Sequence, residues 1–256
     1  MPPTPGPETQ GRLTRPDGEH VAWKRVTGAG PTLIWVGGWR SDMEGTKAVH
    51  LAEAAKKHGW DYLRFDHFAH GESSGEWTAA AIGRWREDLI ALIEAETGEA
   101  VILIGSSMGA WISLLAAVAL PDRVKALLLI APAPDFAHEL MWPRLEDHVR
   151  QAILREGFAG IDDGTGPHRL TRAFFEEARA WALLDGPIAF AGPVRILQGT
   201  ADDPVPWRHA MRLTEALTSD DVELTLIKDG DHRLSAPRDL ERLTEAVAAV
   251  RKRSMA

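Results

Sequence analysis

Residues 100–119 read Ala-Val-Ile-Leu-Ile-Gly-Ser-Ser-Met-Gly-Ala-Trp-Ile-Ser-Leu-Leu-Ala-Ala-Val-Ala, and this stretch decides the fold. Residues 101–104 form a short apolar run, which is typical of a strand buried on both faces. Residues 111–119 are rich in Ala and Leu and contain no Gly or Pro, which favours a buried helix. The stretch therefore predicts a strand and a helix joined by a very short turn.

That turn carries a serine between two glycines, in the pattern Gly-x-Ser-x-Gly. In a sharp strand-to-helix turn, side chains two residues before and after the serine would collide, and Gly105 and Gly109 have none. The spacing predicts a nucleophile elbow that presents the hydroxyl of Ser107 above the end of the strand. The Met108 N–H would lie at the helix start, where free donors and the helix dipole favour an oxyanion. The alternative is a tight turn that only requires small residues.

A second match to the same pattern serves as an internal comparison. Gly71-Glu72-Ser73-Ser74-Gly75 has the same spacing, but polar residues surround it. No apolar run leads directly into Ser73, and no helical pattern leaves it. We therefore interpret this second match as a surface loop and assign the nucleophile to Ser107.

Composition restricts the classes of function. The chain has 256 residues, 45% of them hydrophobic, with a net charge of −8 and no cysteine. This length is enough to bury a full core in one α/β unit. An acidic balance argues against a nucleic-acid partner, and the absence of cysteine excludes disulfides, cysteine-ligated metals and thiol catalysis.

The first 19 residues are rich in proline and polar side chains. They lack the basic start and apolar centre of a signal peptide and are not an Arg- and Ser-rich transit peptide, and no apolar run approaches membrane-spanning length. We expect residues 1–19 to be a flexible segment of a soluble, cytoplasmic protein with no membrane span.

Apolar strand-like runs alternate with helical patterns through most of the chain, which predicts a mostly parallel sheet with helices on both faces. The fold class is therefore α/β. The alternation stops between residues 135 and 190, where we expect two or three helices, including 145–155 and 171–184, a Gly/Asp/Thr loop at 160–166 and no strand. We interpret 135–190 as a helical lid inserted into a core made of 20–134 and 191–256, since it begins and ends beside strand ends, where catalytic loops lie.

A serine nucleophile needs a base, and the base needs a carboxylate that fixes its tautomer. Two carboxylates, Asp202 and Asp203, follow a late strand, and only one of them can face the base. Asp203 precedes Pro204, which restricts it to extended geometry and suits it to capping the turn or the next helix, and the residues alone leave the choice between the two carboxylates open. His232 follows the last strand in the context Gly-Asp-His and is the expected base.

The second oxyanion donor should come from the loop after the early strand at 32–36. Gly37-Gly38-Trp39 fits, because glycines let the backbone approach a substrate closely. We expect the donor to be the Trp39 N–H, with Gly38 as the alternative.

Asp66, His67 and His70 form a tempting metal cluster. No third ligand with suitable spacing accompanies the histidines, so we expect these residues to pack or hydrogen-bond near the site. The sequence thus predicts no metal and no cofactor.

Several further segments carry a resemblance to a known family. These segments are residues 38–48, 64–66, 83–88, 205–207 and 231–233. From about residue 20 to the C-terminus, the chain resembles the α/β-hydrolase superfamily. The segments are most similar to the branch of the mitochondrial acyl-protein (palmitoyl) thioesterase that also cleaves the acyl glucuronide of mycophenolic acid. The resemblance implies a serine hydrolase of S-acyl or O-acyl esters with Ser107, Asp202 and His232 as triad. One departure is Gly37, which stands where these proteins usually have a histidine.

The predicted reaction is acyl transfer through an acyl-enzyme on a small-molecule or acyl-protein substrate. Gly38, Trp142 and Trp207 are the expected substrate-binding residues. Apolar lid residues would line an acyl pocket or simply pack on the core: Leu140, Met141, Trp142, Phe158 and Phe174. Three arginines would meet an anionic leaving group or lie on a solvated face: Arg144, Arg150 and Arg169. The alternatives are a peptidase or carbon–carbon bond hydrolase on the same triad, and a binding protein that retains the fold without turnover.

Overall fold

The computed structural model describes residues 8–162, 164 and 166–255. The strands are β1 (Glu8–Thr14), β2 (His20–Val26), β3 (Ala29–Val36), β4 (Trp60–Phe65), β5 (Val101–Ser106), β6 (Val124–Ile130), β7 (Phe158–Asp162), β8 (Pro167–Thr171), β9 (Val194–Gly199) and β10 (Val222–Ile227). The α-helices are α1 (Thr46–His58), α2 (Ile82–Glu96), α3 (Met108–Ala119), α4 (Asp147–Glu156), α5 (Arg172–Arg179), α6 (Trp207–Ala216) and α7 (Pro237–Ser254).

Eight of these strands form one sheet in the order β1-β2-β4-β3-β5-β6-β9-β10. Strands β3 to β6, β9 and β10 are parallel, and β1 and β2 are antiparallel. The central strand β5 is buried along its whole length, which explains its apolar sequence. Helices α1 and α7 cover one face of the sheet, and α2, α3 and α6 cover the other. This mostly parallel sheet flanked by helices is the predicted fold class.

The beginning of the chain differs from the prediction. Residues 8–14, expected within a flexible segment, form the edge strand β1, which pairs with β2 along its full length. Most of its side chains are exposed, so its sequence has no apolar alternation that would indicate a strand. Backbone pairing and the indole of Trp23 lying over Gly11 hold it in place. Residues 1–7 lie outside the described residues.

Residues 135–190 also differ in part. Strands β7 and β8 pair antiparallel where the sequence predicts no strand. The Gly/Asp/Thr loop predicted at 160–166 overlaps the last three residues of β7, and residues 163 and 165 lie outside the described part. Each strand has only five residues, and within the pair only Ala159 and Leu170 are buried opposite each other, so the alternation was too short to detect. Helix α5 ends at Arg179, earlier than predicted.

The carboxyl ends of the parallel strands position the candidate site. Strand β3 is in register with β5, and β5 with β6, so that Val36 lies beside Gly105, and Ser106 beside Ile130. Strand β9 continues this edge, with Leu197 paired to Ile130. The loops after β3, β5, β9 and β10 therefore leave the sheet on the same side.

Candidate active site

Three of the predicted residues meet at this edge. Ser107 follows β5 directly, Asp202 lies in the loop after β9, and His232 lies in the loop after β10. The Nε2 of His232 is 3.0 Å from the Ser107 hydroxyl, and its Nδ1 is 2.8 Å from Oδ2 of Asp202. The serine, imidazole and carboxylate thus form a continuous hydrogen-bonded chain, which is the arrangement that activates a serine hydroxyl for nucleophilic attack.

Ser107 has a strained backbone. Its φ of 56° and ψ of −120° lie in a region that residues with a side chain rarely adopt. The Ser107 N–H donates to the carbonyl of Ile130 at 2.9 Å, which fixes the turn against the neighbouring strand. Met108 then begins α3, so its N–H is among the first helix amides, which lack acceptors within the helix.

The elbow glycines are required by close backbone contacts. A Cβ on Gly105 would lie 2.6 Å from the Cα of Ala110, and one on Gly109 would lie 2.1 Å from the carbonyl oxygen of Val36. A Cβ on Gly38 would lie 3.2 Å from the Cβ of Ser107, so the loop after β3 runs directly beside the nucleophile. Gly38 thus lies beside Ser107 and Met108 follows it directly, while the donor roles of the Trp39 and Met108 N–H groups stay a prediction.

The acid candidate is held by more than the histidine. Asp202 is 5% exposed, and its Oδ1 accepts a hydrogen bond from the Val205 N–H at 2.7 Å. Its Oδ2 accepts from the Nε2 of Gln198 at 3.0 Å. Asp203, the alternative, has a 98% exposed side chain and is not brought to His232.

The similarity of this chain to known proteins shows the family to which it belongs. Residues 42–157 match the family described as serine aminopeptidase, S33. The mitochondrial palmitoyl-protein thioesterase ABHD10 of Bos taurus is 34% identical over 238 residues, which cover 92% of this chain and 78% of that protein. This chain belongs to the α/β-hydrolase family, in the branch that contains ABHD10. The family resemblance seen in the sequence is thereby confirmed.

Solved structures of this family agree in fold. A putative hydrolase from Agrobacterium vitis S4 superposes with a TM-score of 0.90 at 40% identity, covering 96% of this chain and 99% of that one. Mouse ABHD10 gives a TM-score of 0.87 at 32% identity, covering 94% of this chain and 98% of that one. The predicted α/β-hydrolase fold is confirmed, and the chain is an enzyme of the hydrolase class.

The indole of Trp39 stands at the centre of a group of rings that joins the α/β-hydrolase core to residues 135–190. We call this group the Trp39 cluster. Besides Trp39 it contains Trp77, Trp85, Phe136, His168 and Phe174, whose centroids lie 4.7 to 6.0 Å from that of Trp39. The residue expected to donate from its backbone therefore also packs its side chain against the inserted segment.

The other two expected substrate-binding residues are Trp142 and Trp207. Trp142 packs edge-on against Phe175 at 4.8 Å within the inserted segment. Trp207 begins α6, and the guanidinium of Arg208 lies over its ring. Among the described residues, no hydrogen bond joins either indole to Ser107 and no ring contact joins either to His232.

The three arginines singled out within residues 135–190 have local partners. Arg144 donates to the carbonyl of Asp203 at 2.8 Å, which ties the inserted segment to the acid loop. Arg150 pairs with Asp147 on its own helix, and the guanidinium of Arg169 lies over the ring of Phe158. Phe158 is 39% exposed, so ring and guanidinium form a surface pair.

The side chains of Asp66, His67 and His70 hydrogen-bond to the loop after β3. Within the described part of the chain, no group of three or more His, Asp or Glu side chains is arranged to hold a metal ion. The surface-loop serines also have structural partners: Ser73 donates to the carbonyl of Asp66 at 2.7 Å, and Ser74 accepts from the His20 N–H at 2.7 Å.

Sequence reasoning missed three polar residues that organise the site. Gln198 holds Asp202, Glu177 caps α2 from the inserted segment, and Asp135 accepts from the Leu183 and Leu184 N–H groups at 2.7 to 3.0 Å. Burial raises the pKa of the Asp135 carboxyl. Only Gln198 carried a signal, since a polar side chain in an otherwise apolar strand run needs a buried partner.

Across residues 8–162, 164 and 166–255, no helix combines the length and apolarity that crossing a membrane would require.

Proposed function

We propose that this enzyme hydrolyses carboxylic esters and thioesters of acyl substrates through Ser107, His232 and Asp202. The observation that carries the proposal is the unbroken chain of hydrogen bonds from Ser107 Oγ to His232 at 3.0 Å and from His232 to Asp202 at 2.8 Å. The proposal is supported by the positions of the three residues after β5, β9 and β10, since a triad in an α/β-hydrolase is carried on loops of this kind.

In the first step His232 takes the proton of Ser107 through Nε2 as the hydroxyl oxygen attacks the acyl carbonyl carbon. The carbonyl oxygen becomes an oxyanion, which the Met108 and Trp39 N–H groups stabilise. Asp202 keeps the proton of His232 on Nδ1 and stabilises the imidazolium. When the tetrahedral intermediate collapses, His232 gives its proton to the leaving thiolate or alkoxide, and the acyl group remains on Ser107.

In the second step His232 deprotonates a water molecule that attacks the acyl-Ser107 ester. The same two N–H groups hold the second oxyanion. Collapse returns a proton to Ser107 and releases the carboxylic acid. No cofactor is required, because every proton that moves is carried by His232, the substrate or water.

The substrate class rests on two observations. The relative that is 34% identical is named a palmitoyl-protein thioesterase, which favours acyl thioesters. The Trp39 cluster presents apolar side chains of residues 135–190 next to the loop beside Ser107, where an acyl chain would enter. We therefore propose that residues 135–190 act as a helical cap that selects the acyl chain, with Trp142 and Trp207 at the outer part of the binding site.

The test uses a fluorophosphonate probe and a series of acyl-CoA thioesters and p-nitrophenyl esters of graded length. Wild type and Ser73→Ala should be labelled and should hydrolyse the substrates, whereas Ser107→Ala should do neither. The two variants are matched, since both serines occupy a Gly-x-Ser-x-Gly pattern. A folded wild type that is not labelled would favour the binding-protein alternative.

A peptidase is the second candidate, because residues 42–157 match a family described as serine aminopeptidase. Thioester, ester and amide forms of one acyl group separate the two functions. We expect kcat/KM to be highest for the thioester or ester and lowest for the amide. Faster cleavage of the amide would assign the enzyme to the peptidases instead.

The cytoplasmic location predicted from the sequence stays a prediction, since the ABHD10 relatives are named mitochondrial. The acidic balance of −8 still argues against a nucleic-acid partner. Subcellular fractionation of the source cells with an antibody to the chain would test the location directly.

A further inference from the structure

Two loops pack against each other beside the elbow. We call residues 37–43, which follow β3, the oxyanion loop, and residues 66–72, which follow β4, the β4 loop. The oxyanion loop is not part of a helix or strand, and Arg40 within it has a φ of 50°. A loop with this conformation needs fixed partners, because its own backbone supplies few hydrogen bonds.

The β4 loop supplies those partners at three points. The Nε2 of His67 is 3.1 Å from the carbonyl oxygen of Gly37. The Arg40 N–H donates to the Nε2 of His70 at 3.1 Å. The Met43 N–H donates to Oδ1 of Asp66 at 2.7 Å. The side chains of Asp66, His67 and His70 therefore hold the beginning, middle and end of the oxyanion loop.

The hydrogen bonds define the tautomer of each imidazole. His67 faces a carbonyl oxygen through Nε2, so Nε2 carries the proton and donates it. His70 accepts at Nε2, so its proton lies on Nδ1, which donates to the carbonyl of Phe68 at 3.0 Å. The Nδ1 of His67 is buried with no hydrogen-bond partner among the described residues, as expected of a nitrogen without a proton. Both rings are therefore neutral, and they offer the loop opposite polarity, because His67 donates and His70 accepts.

Burial keeps both rings in this state. His67 is 1% exposed and His70 5% exposed. The loss of solvation lowers the pKa of His67 to about 3 and that of His70 to about 4. Neither imidazole is therefore protonated in the folded protein near neutral pH.

We propose that His67 and His70 are positioning residues that set the oxyanion hole by fixing the Gly37 carbonyl and the Arg40 amide on either side of Gly38 and Trp39. This inference rests on the proposed function, since it assigns the Trp39 N–H to the oxyanion. Gly37 links the β4 loop to the elbow, because its carbonyl oxygen also lies 2.4 Å from where a Cβ of Gly109 would be. A shift of the Gly37 peptide would therefore move the hole relative to Ser107.

The test compares His67→Gln with His67→Leu. Glutamine can place an amide N–H near the position of the imidazole Nε2, whereas leucine has no donor. We expect His67→Leu to lower kcat about 10- to 100-fold with KM within about twofold, because the oxyanion forms only in the transition state. We expect His67→Gln to recover most of the lost kcat. All rates are taken per active site, counted by complete labelling with the fluorophosphonate.

A second measurement probes the oxyanion hole itself, with a control for general loosening of the fold. A trifluoromethyl ketone carrying the acyl chain of the substrate forms a tetrahedral adduct with Ser107 and places an oxyanion in the hole. Its inhibition constant should rise in His67→Leu by the same factor by which kcat falls. His50→Leu is the matched control, because His50 also hydrogen-bonds across two elements, to Thr244 at 2.8 Å, but away from the oxyanion loop.

The inference is overturned if His67→Leu retains wild-type kcat, or if the kcat of His67→Gln is as low as that of His67→Leu. It is also overturned if the ketone has the same inhibition constant for wild type and for His67→Leu. If His67→Leu does not fold, the same comparison is made at His70. His70→Gln keeps an acceptor for the Arg40 N–H, whereas His70→Leu removes it. Equal kcat values for these two variants would overturn the inference. An inactive wild type would instead refute the proposed function and, with it, this assignment.

Discussion

At the scale of single residues, Gln198 shows how much the acid of the candidate triad depends on its neighbour. The side chain is fully buried, and its Nε2 lies within 3.1 Å of Oδ2 of Asp202 and of the carbonyl oxygens of Gly199 and Val205. Because Oδ2 also accepts from His232, the amide fixes the one oxygen that orients the imidazole. A buried carboxylate that loses such a donor is left partly unsatisfied.

We therefore expect Gln198→Leu to lower kcat about tenfold, which corresponds to about 1.4 kcal/mol of transition-state stabilisation. Leucine keeps the volume but leaves Asp202 free to turn away from His232. Steady-state kinetics with a short acyl thioester would measure the effect. Gln10→Leu, on the exposed face of β1, is the control and should leave kcat unchanged. Wild-type kcat in Gln198→Leu would show that Val205 alone is sufficient to hold the acid.

At the scale of secondary-structure elements, α2 begins without a cap of its own. The residue before it, Ala81, has no side-chain acceptor, and the cap comes instead from Glu177 of α5. Its carboxylate accepts from the Ile82 N–H at 2.9 Å and from the Gly83 N–H at 2.8 Å. A negative charge at a helix N-terminus is favoured by the free amides and the helix dipole. The inserted segment and the core thus share one helix start.

Glu177→Ala should lower the free energy of unfolding by about 1–2 kcal/mol, the usual cost of a lost N-cap with buried partners. Urea denaturation at neutral pH would measure it. The neighbouring Glu176 pairs with Arg172 on the exposed side of the same helix, so Glu176→Ala should cost less than about 0.5 kcal/mol. Equal effects of the two substitutions would argue against the cap.

At the scale of the whole molecule, the buried histidines link folding to pH. His67 and His70 have folded-state pKa values of about 3 and about 4, below the value of 6.5 for an unperturbed histidine. The native state therefore binds fewer protons than the unfolded chain. The stability that these rings contribute is complete above pH 6.5 and is lost as the pH falls towards 4 and then 3. Burial raises the pKa of Asp66 to about 6, which acts in the opposite direction over part of this range.

Comparing wild type with His67→Gln isolates one ring, because Asp66 and His70 are present in both. Between pH 7 and pH 5, a histidine that stays neutral only in the folded state loses about 2 kcal/mol of stabilisation. The free energy of unfolding of His67→Gln should fall by about 2 kcal/mol less than that of wild type over this range. Urea denaturation at the two pH values measures both. An identical fall would mean that His67 takes up a proton in the native state.

The whole molecule also determines the space beside the nucleophile, because Phe174 of the inserted segment packs against Trp39 of the core at 5.2 Å. Phe174→Ala should enlarge the proposed acyl pocket and raise the kcat/KM ratio of long to short acyl thioesters by about tenfold, a typical effect of pocket size. Phe190→Ala is the control, since Phe190 is equally buried but precedes β9, at the opposite end of that strand from Asp202. A parallel change in both variants would point to general loosening and not to an acyl pocket.

The sequence alone determined the parts of this protein whose signals are local. Strand and helix around Ser107 follow from an apolar run, two glycines and an alanine-rich stretch, all within 20 residues. The loops that carry Asp202 and His232 are predictable because parallel strands deliver their following loops to one edge, and the choice of Asp202 over Asp203 comes from the family resemblance. The structure accordingly brings His232 to Ser107 although the two are 125 residues apart.

Only the tertiary structure decided how that edge is supported. The metal-like cluster at residues 66–70 is explained by its contacts with the oxyanion loop, whose carbonyl at Gly37 lies 30 residues before His67. The cap on α2 comes from Glu177, 95 residues after Ile82. Strands β1, β7 and β8 exist because a neighbouring backbone pairs with them, and their side chains carry little apolar alternation. Such features depend on which polar groups come into contact after folding. The sequence of one segment does not indicate which distant residue will be its hydrogen-bond partner.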